Sequence, residues 1–117
     1  GAPVDIDLTK AMDAVDGDKE LLKELVGDFL KEIPQHLEEL QGVIDRGDAG
    51  QGERKAHSLK GNVGIFGAKV AYDLAYDLEN RGRESRLEGA VDVFSRLEEE
   101  MTKLKVFFSK PEWEKYA

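Results

Sequence analysis

Cysteine is absent from the 117 residues, so neither disulfides nor thiolate metal sites are available, which fits a reducing compartment. No apolar run approaches the roughly 18 residues that a membrane span needs. Nothing resembles a signal peptide, and the expected location is cytoplasmic, including as part of a membrane-anchored protein. Positive charge is sparse: 17 Lys and Arg stand against 25 Asp and Glu, giving a net charge of −8. Without a basic cluster to neutralise phosphates, the sequence argues against nucleic acid as a partner and against contact with an anionic membrane. Proline occurs only three times, which favours long elements. Neither a Walker loop nor a kinase glycine loop is present, so the chain is not expected to take phosphate from ATP by itself. The chain starts Gly-Ala-Pro without Met. Residues 1–3 are therefore expected to be a cloning remnant on a piece of a larger protein, with one domain over 4–110 and a tail over 111–117.

What is present is helical periodicity. Leu8, Ala11, Met12 and Val15 fit a short amphipathic helix closed at Gly17. Asp18 can cap the next helix, in which Leu22, Leu25, Phe29, Ile33, Leu37, Leu40 and Ile44 form one stripe. Pro34 within that stripe is predicted to kink or divide the helix. "DRGDAG" (45–50) breaks the pattern, and a third helix follows, ended by Gly67. Val70, Ala71, Leu74, Ala75 and Leu78 make a fourth stripe; Leu87, Ala90, Val91, Phe94, Leu97, Met101, Leu104 and Phe108 make a fifth. The tail "FFSKPEWEKYA" has no clear period. Four long one-faced helices with short connections predict an all-α, antiparallel four-helix bundle, with the short first helix covering one end.

The third helix carries "AHSLKGNVGIFGA" (56–68). At about 100° per residue, Ala56, Leu59, Val63 and Phe66 share the core face, which turns His57 toward solvent. Lys60 and Gly61 are its neighbours on that surface, and Gly64 and Gly50 lie on the same side. A helical glycine costs roughly 1 kcal/mol relative to Ala, so several of them around one exposed histidine suggest a site rather than an economy of folding. Gly61 leaves room for another protein to approach the ring, and Lys60 can neutralise an anion attached to it. Imidazole, with an ordinary pKa of about 6.5, is largely neutral and nucleophilic near neutrality and can accept a phosphoryl group. Phosphoryl transfer depends mainly on positioning and charge stabilisation. An exposed histidine near a lysine is also what an ordinary solvated helix shows, so a plain interaction bundle remains open.

His57-Ser58-Leu59-Lys60-Gly61, preceded by Ala56 and followed by Gly67-Ala68, resembles the signature of histidine-containing phosphotransfer (HPt) domains. The resemblance extends through "LVGDFLKEIPQHLEELQGVIDRGD" before the motif and "LAYDLEN" after it. It implies that His57 is phosphorylated on its solvent-facing nitrogen, that Lys60 steadies the phosphoryl group, and that Gly61 admits the partner; Gly64 and Gly50, placed on the same side by helix geometry, are expected to border that partner surface. It further implies Glu79 against the other ring nitrogen and Arg83 as a helper near the phosphate. The implied partners are response-regulator receiver domains and a parent or cognate histidine kinase. Receivers would supply the aspartates and Mg²⁺; no cofactor and no metal are expected on this domain. The resemblance is greatest to the carboxy-terminal HPt domain of a bacterial hybrid sensor kinase. The amino-terminal substrate domain of a chemotaxis-type kinase is the alternative. His36 has no comparable context and reads as an ordinary surface residue. A bundle metal site stays open as a third possibility, although the repeated Glu-x-x-His spacing is absent.

Overall fold

The computed structural model describes residues 2–117, so Gly1 of the expected remnant lies outside the described residues. Five α-helices follow one another: α1 (Thr9–Ala14), α2 (Lys19–Asp45), α3 (Ala49–Gly64), α4 (Lys69–Arg83) and α5 (Ala90–Phe108). A 3₁₀ helix, Pro111–Tyr116, closes the chain. Helices α2 to α5 form the antiparallel bundle, and the described residues contain no strand. At 27 residues α2 spans about 40 Å, nearly the full 41 Å length of the molecule.

Local chemistry sets the ends of the elements. The Asp18 carboxylate accepts from the Glu20 and Leu21 N–H groups at 3.0 and 3.3 Å, and Asp48 accepts from Gln51 N–H at 3.1 Å. Ala68 has no such oxygen at the start of α4. There the Asp5 carboxylate, from the amino-terminal segment, accepts from Val70 N–H at 2.8 Å. The preceding turn needs Gly67, whose φ is +64° and whose missing Cβ would lie 2.5 Å from the Asp7 carbonyl oxygen.

Pro34 neither divides α2 nor ends it. It lies on the exposed face, where water can serve the carbonyl it leaves without a donor. Val70 and Val91, expected in the core, are exposed instead. Each sits about a quarter turn from the centre of its stripe. The core closes around Phe29, Phe66 and Phe108, with ring centroids 4.7 to 6.2 Å apart. Trp113 stacks edge-on to Phe108 at 5.8 Å and is buried, so the segment after α5 packs onto the bundle. No helix among the described residues is long and apolar enough to cross a membrane.

Candidate functional site

The site is built where α3 and α4 lie closest. That approach depends on Gly82, where a Cβ would stand 2.5 Å from the Glu53 backbone nitrogen and 2.7 Å from the Ala49 carbonyl oxygen. It brings the middle of α3, bearing His57 and Lys60, against the last turns of α4, bearing Glu79 and Arg83.

The His57 side chain is 67% exposed, and its Nδ1 lies 3.3 Å from Glu79 Oε1. Glu79 is the one buried charged residue among those described, its side chain 4% exposed. Three groups address its two oxygens. Lys60 Nζ stands 2.8 Å from Oε1, and Arg83 Nη2 donates to Oε2 at 2.8 Å. The contacts on Oε1 are close ion-pair approaches rather than aligned hydrogen bonds. Burial pushes the Glu79 carboxyl up, but Lys60 and His57 outweigh it and hold the group below the usual carboxylate value of 4.5. The same contact with Glu79 raises the Lys60 ammonium above its usual value.

A carboxylate only accepts. In the neutral ring the proton therefore sits on Nδ1, facing Glu79, and the lone pair sits on Nε2 at the exposed edge. The arrangement can present a nucleophilic nitrogen to an approaching electrophile while a buried anion balances the positive charge that bond formation creates.

Lys60 is more withdrawn than its predicted role suggests, with a side chain 15% exposed. Its ammonium lies over the Tyr76 ring at 4.7 Å and near the Tyr72 ring at 5.8 Å. Of the glycines expected to clear space for a partner, only Gly61 faces wholly open space. Gly64 meets the Tyr72 ring, 3.3 Å from where its Cβ would be, so its smallness serves the packing of α4 on α3. Gly50 lies at the start of α3 and its outer space is bordered by the Arg54 guanidinium at 3.8 Å. Arg83 is turned to carboxylates: besides Glu79, its Nε donates to Glu53 at 3.0 Å and its Nη1 to Asn80 at 3.2 Å. His36, expected as an ordinary surface residue, is half-buried on α2, with Nε2 3.1 Å from the Asn62 amide. Among the described residues no three His, Asp or Glu side chains converge as a metal site. Sequence reasoning missed Glu53, Gly82, Tyr72 and Tyr76. For Glu53 a signal existed, since it precedes His57 by four positions and shares its face.

The model of the Hpt domain matches residues 24–106, well over half of the chain. The chain belongs to the Hpt domain family. As an Hpt domain it acts in histidine phosphotransfer within phosphorelay signalling, as a phosphocarrier and not an autonomous kinase. Hpt domains interact with receiver domains and histidine kinases. Among solved structures, the chain is similar to the crystal structure of histidine-containing phosphotransfer protein B (HptB) from Pseudomonas aeruginosa PAO1. The identity is 23%, the TM-score 0.83, and the match covers 93% of this chain and 94% of that one. At that identity the likeness speaks to the fold. No curated protein matches.

Proposed function

We propose that His57 is the phosphoryl carrier of this Hpt domain, through Nε2. The lone pair on Nε2 attacks the phosphorus of a receiver's aspartyl phosphate. The acyl P–O bond breaks, the N–P bond forms, and the aspartate leaves as carboxylate. The proton on Nδ1 stays in place, so the ring becomes cationic and Glu79 balances it. The reverse sequence on a second receiver discharges the carrier. Lys60 stays protonated beside the ring and supplies positive charge to the phosphoryl oxygens, while Gly61 leaves the approach open. The receiver contributes the aspartates and Mg²⁺; this domain contributes no cofactor. We place the exchange in the cytoplasm, within or beside a hybrid sensor kinase.

The observation that carries this reading is an exposed imidazole whose inner nitrogen rests 3.3 Å from a buried carboxylate. Phosphoramidate, a small phosphoryl donor, tests it without any partner. Intact mass should rise by one acid-labile phosphoryl group in the wild type and stay unchanged in His57→Gln. A folded wild-type domain that takes up nothing, or a His57→Gln variant that is still modified, overturns the assignment. A second comparison sets receiver domains against an isolated ATP-binding kinase domain as donors. Charging by the kinase alone would favour the chemotaxis-type arrangement.

A further inference from the structure

Arg83 stands behind Glu79 rather than at the reacting edge. Its guanidinium joins two carboxylates from two helices: Nη2 donates to Glu79 Oε2 at 2.8 Å, and Nε donates to Glu53 Oε2 at 3.0 Å. Nη1 donates to Asn80 Oδ1 at 3.2 Å. Glu53 lies one turn before His57 on α3, and Arg83 one turn after Glu79 on α4. The close helix approach at Gly82 lets the bridge close, since the Glu53 backbone occupies the space a side chain would need. A planar fork presents different nitrogens to the two carboxylates in a fixed geometry, whereas an ammonium is a flexible point charge.

We propose that Arg83, anchored by Glu53, is a positioning residue that fixes the rotation of the Glu79 carboxylate so that Oε1 faces His57 Nδ1. This deepens the reading of His57 as the carrier and rests on it. Without the anchor, Oε2 competes with Oε1 for His57 and Lys60, and the carboxylate turns. The ring then loses the partner that holds the proton on Nδ1, and the fraction with its lone pair on Nε2 falls. The charged groups facing the Glu79 carboxylate are His57 and Lys60 from α3 and Arg83 from α4, and Arg83 alone addresses Oε2. Arg83 does not touch the phosphoryl group; its effect passes entirely through Glu79.

The test uses nitrogen-15 NMR of the His57 ring together with the rate of phosphorylation by phosphoramidate. Arg83→Gln should move the ring away from the Nδ1–H tautomer and slow phosphorylation about tenfold, the lower end of the loss seen when outer partners that orient a metal-ligating histidine are removed. Arg83→Lys should recover part of the rate, because it restores positive charge beside Glu79 without the fixed geometry of the guanidinium fork. Glu53→Gln, which keeps Arg83, should shift the tautomer in the same direction by less. Combining it with Arg83→Gln should add little, as expected for members of one unit. Arg86→Gln removes an equal charge from an exposed pair with Glu84 and should change neither readout. Arg83→Gln or Glu53→Gln with a wild-type tautomer and rate overturns the proposal, even where melting shows lower stability. So does faster phosphorylation, which would mean that Arg83 only damps Glu79. Failure of the wild type itself to be phosphorylated counts instead against His57 as the carrier, and the tautomer readout remains independent of that.

Discussion

Glu79→Gln keeps the shape of the side chain and removes the charge that three groups address. Whichever way the amide turns, its NH₂ end faces either the Lys60 ammonium or the Arg83 guanidinium, each now 2.8 Å from a carboxylate oxygen. Arg83 is 54% exposed, keeps Glu53 and recovers water, so little is lost on its side. The cost falls mainly on the buried end, where the side chain is 4% exposed and one charge-assisted contact has no replacement. That is worth roughly 2 kcal/mol, or a fall of about 8 °C in Tm for a domain of this size. The pH dependence has a definite sign. The folded-state carboxyl lies below the ordinary value of 4.5, so its contribution is present above the unfolded value and is lost as pH falls through the folded one. Urea unfolding followed by circular dichroism should therefore show the full gap between wild type and Glu79→Gln at about pH 7 and still at about pH 5.5. The gap should narrow only below about 4.5. No gap at neutral pH, or a gap that closes before pH 5.5 is reached, refutes the claim that the cations hold this carboxylate ionised.

Lys60→Ala should leave the circular dichroism spectrum unchanged and slow transfer from a phosphorylated receiver by at least about tenfold. An unchanged rate would leave Lys60 with Glu79 alone. Gly61→Gln should preserve both stability and reactivity toward phosphoramidate, since open space surrounds that position, while transfer from a receiver falls. Undiminished transfer removes the clearance argument. Gly61→Ala should stabilise the domain by up to about 1 kcal/mol, whereas Gly82→Ala, with a Cβ 2.5 Å from the Glu53 nitrogen, should cost about 3 kcal/mol. Thermal melts that rank the two variants equally would contradict the helix packing.

The stripe in α2 and the motif in α3 were legible because burial and exposure there follow from helix angle alone. His57 is exposed and Ala56, Leu59 and Val63 are buried for one geometric reason. Glu79 was legible as a position only through the resemblance, and its burial was not legible at all. Between Leu78 and Asn80 on a helix rich in charged residues it reads as a solvated charge; it is buried because cations converge on it from α3 and α4, a tertiary fact. The glycines show the same limit. Gly50, Gly61 and Gly64 look alike from the His57 side, yet what borders each depends on Arg54, on nothing, and on Tyr72. Gly82 drew no attention because its function is to let Glu53 approach. The segment after α5 showed no period because it is a short 3₁₀ helix anchored by Trp113 and, on Phe107, by Tyr116.

One oxygen ties the resting site to the loaded one. Glu79 Oε1 is shared by His57 Nδ1 at 3.3 Å and Lys60 Nζ at 2.8 Å, so the ring and the ammonium compete for it. In the resting state the ring is the weaker claimant, since a neutral Nδ1–H binds a carboxylate less firmly than an ammonium does. If His57 takes the phosphoryl group, the ring becomes cationic and its claim on Oε1 rises. Three new oxygens sharing the negative charge of the phosphoryl group would then stand on the other side of the imidazole. Both changes push Lys60 the same way, off the carboxylate and toward the phosphoryl group. The withdrawn position of Lys60 is thus compatible with the role proposed for it, which does not require the lysine to be exposed beforehand. On the proposed function, one ammonium leaving Glu79 would link charging of the ring to stabilisation of its cargo, and discharge would return it to Glu79.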